Sequence, residues 1–150
     1  MLLKRAERRH KLRTRDYARL AAFRAAVREF LHFSEDAAAK AGLTAQHYQA
    51  MLILRARTEQ GAVTINDLAR ELLIKHNSAV GLVDRLVREG LVAREASQGD
   101  RRKVELRLSG RGRQVLAKLA AVHRREIERI GPLLKQLIAD VFAEDEPGER

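Results

Sequence analysis

The sequence predicts a mainly α fold carrying one small β-hairpin, an α+β arrangement. Three observations carry this expectation. Apolar residues recur every three or four positions along most of the chain, the spacing of helices with one buried face. Between residues 91 and 109 the pattern shifts to period two, in short runs parted by turn residues. Aromatic residues make up only 4% of the 150 positions, in a chain rich in Ala, Leu and Arg, which favours helix.

Each element follows from its residues. Residues 1–14 read as a basic, flexible arm. Over 15–40, Leu20, Phe23, Val27, Phe30 and Leu31 form one helical stripe, and Gly42 is placed to end that helix. Thr44 is a good N-cap for a second helix bearing Tyr48, Met51, Leu52 and Leu54, which Gly61 closes. Thr64 caps a short third helix whose buried side is Ile65, Leu68, Ala69 and Leu72. In "IKHNSAVGLVDRLVREG", Ala79, Leu82, Val83 and Leu86 fall at i, i+3, i+4 and i+7, and Gly90 suits the position just past a helix end. "LVARE" reads as a strand, "ASQGD" as a turn and "KVELRLS" as a half-exposed strand. Ser109 caps a long helix lined by Val115, Leu116, Leu119, Val122, Ile127 and Ile130. Gly131-Pro132 predicts a break or kink there, before a last stripe of Leu133, Leu134, Leu137, Ile138 and Val141. Residues 143–150 read as an acidic, disordered tail, so 15–142 form a single domain.

Charge narrows the partner. Thirty Lys+Arg against twenty Asp+Glu give a formal charge of +10. Such a field attracts a polyanion, unless the charges are only a solvated surface. Residues 1–30 hold ten bases and three acids, whereas 140–150 hold five acids and one base, so the coating is not uniform. The absence of cysteine excludes disulfides and thiolate chemistry. "MLLKRAERRH" has no signal-peptide core, and no apolar run approaches bilayer length, so a soluble, cytoplasmic protein without membrane contact is expected. No Gly-rich phosphate loop, HExxH or Gly-x-Ser-x-Gly occurs, so neither an enzyme nor a cofactor is expected. His123 and Glu126 could share a helix face, but they read as surface residues rather than as a metal site.

A short helix, a turn, an amphipathic helix and then a hairpin is the order of a helix-turn-helix followed by a wing. In such units the second helix enters the major groove of DNA. The hairpin's basic tip, Arg101-Arg102-Lys103, is then placed to reach phosphates or a narrow minor groove.

At these residues the sequence resembles the MarR-type winged-helix transcriptional regulators. The resemblance covers roughly residues 15–140. It is carried by Val83-Asp84-Arg85-Leu86, Gly90-Leu91-Val92, Asp100-x-Arg102 and Leu108-Ser109-x-x-Gly112, in that order and spacing. It implies a winged helix-turn-helix core at about 44–112, with dimerisation helices at about 15–40 and 110–142. It also implies a homodimer that represses, less often activates, promoters by binding a near-palindromic double-stranded site. Many members release DNA when a small, often aromatic or phenolic, effector binds near the junction of dimer and lobe.

Arg102 matches the wing arginine that enters the minor groove, and Asp100 the acid that holds it. A carboxylate two residues away can orient a guanidinium, or simply cap the turn. Arg101 and Lys103 are phosphate contacts or solvated. Opposite the buried face of the recognition helix stand His76, Asn77, Ser78 and Gly81; asparagine can bond adenine bidentately. Arg85 matches a DNA-contacting arginine of the family, the alternative being an ion pair with Asp84 or Glu89. Two positions depart from the family: Lys75 replaces a capping serine, and Gly81 a long polar residue. For an effector, Phe30, His32, Phe33, His47, Tyr48 and Met51 flank the junction of the first two helices. They form either a cleft for a small aromatic anion or core and dimer packing. The alternative functions are a non-specific architectural DNA-binding protein and a winged-helix module for protein interaction.

Overall fold

The computed structural model describes residues 12–57 and 59–143. The expected arm, up to residue 11, and the tail beyond 143 lie outside the described residues. Helices α1 (Thr14–Lys40), α2 (Ala45–Arg57), α3 (Ile65–Glu71) and α4 (His76–Arg88) precede strands β1 (Val92–Ala96) and β2 (Val104–Leu108). Helix α5 follows at Gly110–Phe142. The chain divides into two units, one of residues 33–125 and one of residues 1–32 with 126–150.

In the unit of residues 33–125 the apolar stripes meet. Ala79, Leu82, Val83 and Leu86 of α4 are all buried, as their spacing requires. Leu82, Val83 and Leu86 join Met51 and Leu54 of α2 and Leu68 of α3 in one cluster. Each such side chain contributes about 1.5–3 kcal/mol through burial. Leu52 does not join them: it lies one residue off the stripe and is 42% exposed.

Local chemistry fixes the helix ends. Thr64 and Asp67 form a reciprocal capping box on α3. Thr44 accepts the His47 amide at 3.2 Å, and the His47 ring accepts the Thr44 amide at 3.0 Å. Lys75 is the N-cap of α4 and offers no side-chain hydrogen bond. Helix α4 therefore starts without the side-chain cap that a serine at this position would supply. After α4 the chain reverses at Gly90, φ 69°, with the Leu91 amide on the Leu86 carbonyl at 2.9 Å. The same reversal after α3 uses Leu73, at φ 55° and 91% exposed.

Strands β1 and β2 pair antiparallel from Val92↔Leu108 to Ala96↔Val104, with Val92, Leu106 and Leu108 buried. The sequence did not foretell a third partner. The Leu106 amide donates to the Val63 carbonyl at 2.8 Å, which ties the residue before the Thr64 cap of α3 to the wing. A bridge one residue long leaves no periodic signal.

Ser109 joins three ends. Its hydroxyl accepts the Gly112 amide at 2.9 Å and donates to the Gly90 carbonyl at 2.7 Å. Its own amide donates to the Leu91 carbonyl at 3.0 Å. Gly112 lies so close that a Cβ there would stand 2.0 Å from the Leu91 oxygen.

Two expectations are corrected in α5. The helix does not break at Gly131-Pro132 but runs through Pro132 to Phe142. Pro132 brings no amide to the helix ladder, but it is exposed, so the ring points away from the packed face. His123 is a core residue, 4% exposed. Its Nδ1–H donates to the Leu119 carbonyl at 2.8 Å, its Nε2 lies 2.9 Å from Ser34 Oγ, and its ring stacks on Tyr48 at 4.0 Å.

In the other unit, apolar side chains stay uncovered. Tyr17, Leu20 and Leu31 of α1 are exposed, as are Ile127, Leu133, Ile138 and Phe142 of α5.

Candidate functional site

Lys75, His76, Asn77, Ser78, Gly81 and Arg85 are all exposed on α4 or at its start, and Asp100, Arg101, Arg102 and Lys103 are exposed at the hairpin tip. The apolar face of α4 is pinned in the core, so its polar face must point outward.

A groove of about 470 Å³ joins the two elements. Asn66, Asp67 and Arg70 of α3 line it, with His76 of α4 and Arg102, Lys103 and Val104 of the hairpin. His76 Nδ1 lies 2.7 Å from Asn66 Oδ1. A carbonyl oxygen only accepts, so Nδ1 carries the proton, and in the neutral ring Nε2 is left as an acceptor. Arg70 is held by Asp67 at 2.9 Å. The hydrogen bond from the Thr64 amide, the largest influence, helps keep the Asp67 carboxyl below its usual range, so it stays charged. The side chains of Arg101, Arg102 and Lys103 have no ion-pair partner among the described residues.

Asp100 does not grip the Arg102 guanidinium. Its Oδ1 accepts the Arg102 backbone amide at 3.0 Å, the turn-capping alternative, which leaves the guanidinium free to extend. Arg85 donates to Glu89 at 3.0 Å, while Asp84 is taken by Arg94. Such exposed pairs contribute about 0–1 kcal/mol and exchange readily for a stronger anion.

A second hollow, of about 370 Å³, lies between the start of α2 and α4. Thr44, Gln46, His47, Ser78, Gly81, Leu82, Arg85 and Arg88 line it. Burial, and then the Arg85 charge, lower the His47 pKa. That agrees with a ring that accepts the Thr44 amide.

Of the expected effector residues within the unit of residues 33–125, Phe33 and His47 line different hollows. His47 caps α2, Tyr48 stacks on His123, and Met51 is fully buried. Phe30 is half-buried and His32 exposed, both in the unit that holds residues 1–32. Phe33 alone lines an open cleft, of about 530 Å³, with Ala37, Val115, Leu119 and Val122, and with Asp36, Lys40 and Lys118 at its polar positions.

Sequence reasoning missed Asn66, Arg70, Thr44, Gln46 and Arg88 as site residues. Arg88 was legible, three residues beyond Arg85 on the same face. The others come to the site only through folding. No group of three or more acidic or histidine side chains able to hold a metal occurs among the described residues. No helix among them is long and apolar enough to cross a membrane.

A capped short helix, a turn, a recognition-type helix and a two-stranded hairpin define the class: this is a winged helix-turn-helix protein. The MarR family model matches residues 41–103. The HTH-type transcriptional regulator FarR of Neisseria gonorrhoeae is 28% identical over 109 residues, 70% of this chain and 73% of FarR. The transcriptional activatory protein BadR of Rhodopseudomonas palustris is 33% identical over 79 residues, 53% of this chain and 45% of BadR. Among solved structures, the DNA complex of S. aureus MepR is similar in fold, with TM-score 0.63 and 19% identity over 73% of this chain and 78% of that one. With the fold, these matches make the chain similar to the winged-helix transcriptional regulators of the MarR family.

Proposed function

We propose that the chain is a cytoplasmic, homodimeric, sequence-specific repressor that binds a near-palindromic double-stranded DNA site. Helix α4 enters the major groove, and Arg102 reaches the adjacent minor groove. One observation carries this reading: a single groove holds His76 beside Arg102 and Lys103, and neither of those two bases has an ion pair among the described residues. The strand of DNA that separates a major from a minor groove would lie between such elements. That MepR has been solved with DNA supports the same assignment.

The dimer is supported by the apolar side chains that one chain leaves exposed on α1 and α5, from Tyr17 to Phe142. An effector is supported by the cleft at Phe33, whose apolar walls and two lysines, Lys40 and Lys118, suit a small aromatic anion. Its binding weakens the DNA complex. A thermal shift with phenolic acids that Lys118→Glu abolishes is the expected result, and no shift with any of them removes the effector role.

Fluorescence anisotropy tests DNA binding. The protein is titrated onto duplex from upstream of its own coding sequence and onto a scrambled duplex, over a salt series. A preference of about a thousandfold at physiological salt is expected. Arg102→Ala weakens the specific complex by about 1–3 kcal/mol, and unchanged affinity refutes the wing's role. Equal, steeply salt-dependent binding to both duplexes would establish an architectural protein instead. A promoter–reporter fusion reads the direction of control: expression falls as the protein is supplied, whereas a rise would make it an activator, like the transcriptional activatory protein BadR.

A further inference from the structure

Gly81 sits within α4, yet nothing inside the protein asks for a glycine there. Its φ is not positive, unlike those of Gly42, Gly61 and Gly90. A Cβ built on it meets no atom within 4 Å. Glycine in a helix is less stable than alanine, because it loses more backbone freedom on folding. Folding alone therefore favours alanine at this site, and something outside the folded chain must account for the glycine.

The surroundings indicate what that is. Gly81 forms part of the floor of the second hollow, between Ser78 and Arg85 on the outward face of α4. Arg85 and Arg88 line the same hollow, with Thr44, Gln46 and His47 on the α2 side. Arg88 has no ion-pair partner among the described residues, and Arg85 has only its exposed pair with Glu89. Hydroxyl, amide and guanidinium donors around a floor with no side chain suit a phosphate diester, which needs several donors and close approach. A base edge would need a side chain of matching pattern, which Gly81 lacks.

We infer that the α2–α4 hollow seats a sugar–phosphate segment of the DNA, and that Gly81 is the contact floor which lets the strand approach the helix backbone. The inference rests on the proposed DNA-binding function. Base reading then falls to the His76–Asn77 end of α4, while the Gly81 end holds the duplex in register.

The test is Gly81→Ala, with Arg88→Gln as a second variant, on the full chain. Thermal melting and anisotropy are measured side by side. Gly81→Ala should melt about 2–4 °C higher, from helix propensity alone. The same variant should bind duplex roughly tenfold or more weakly, by a similar factor on preferred and scrambled sequences, because the methyl group stands where the strand lies. Arg88→Gln should also weaken both complexes, and should lower the slope of log affinity against log salt by about one. A melting gain with wild-type affinity overturns the inference while leaving the DNA-binding function intact. A loss confined to the preferred sequence also overturns it, since the hollow would then read a base. If the wild-type protein binds neither duplex, the functional reading fails and this inference falls with it.

Discussion

Gly112→Ala should unfold the protein far more easily, although helix propensity alone predicts the reverse. Alanine in place of a helical glycine gains up to about 1 kcal/mol. Here the new Cβ would lie 2.0 Å from the Leu91 carbonyl oxygen, 2.9 Å from its carbon and 3.3 Å from Leu108 Cδ2. A carbon and an oxygen not bonded to each other need about 3 Å or more, so the start of α5 must withdraw by about an ångström. Overpacking of this kind costs about 1–3 kcal/mol. The shift also strains two hydrogen bonds across the same seam, Ser109 N–H to Leu91 at 3.0 Å and Ser109 O–H to Gly90 at 2.7 Å. Each contributes about 0.5–1.5 kcal/mol. After the propensity gain, the net loss is about 2–4 kcal/mol. Urea unfolding followed by helical circular dichroism, at one fixed protein concentration, should show the midpoint falling by about 1–2 M. A midpoint equal to or above wild type would refute the argument from close approach.

Two further outcomes are expected from the same kind of reasoning. Leu73→Gly should raise stability by about 1 kcal/mol, because the φ of 55° crowds a β-carbon and a side chain 91% exposed has little packing to lose; a lower melting temperature would show that Leu73 makes a contact that stabilises the turn. His47 has a folded-state pKa lowered by burial and by Arg85, so the folded protein binds its proton less readily than the unfolded chain. Its contribution is complete above the ordinary histidine value of 6.5 and is lost as pH falls below that towards the folded value. Melting temperatures from pH 8 to 5.5 should therefore drop more steeply for wild type than for His47→Gln, and parallel curves would exclude His47 as the source.

Much of this fold is legible because each local signal agrees with its neighbours. The four apolar residues of α4 and the reversal at Gly90 fix one helix from both its face and its end. The hairpin is written in period two. The failures have particular causes. The left-handed turn after α3 carries leucine, so no glycine announces it. Val63 pairs through a single backbone group, which carries no side-chain pattern. Gly131-Pro132 reads as a break or kink from its local cost alone, yet helical pairing on both sides carries the chain through it. His123 was legible after all: with Leu116, Leu119 and Ile130 it falls at helical spacing on the buried stripe, and its polarity hid that. The candidate site divides in the same way. Exposed polar residues of α4 and the tip follow from the pattern, but the Asn66–His76 bond and the α2 wall of the second hollow exist only once distant segments meet.

The Ser109 hydroxyl has a mechanical consequence. One side-chain oxygen holds the chain leaving α4 and the first turn of α5, and the residue itself ends β2. Leu119, on the wall of the open cleft, lies ten residues further along the same helix, about 15 Å at the usual rise per residue. A continuous helix is stiff over that distance. Whatever tilts α5 at the cleft turns a lever whose pivot is shared by the recognition helix and the wing, so both would be displaced together and not one without the other.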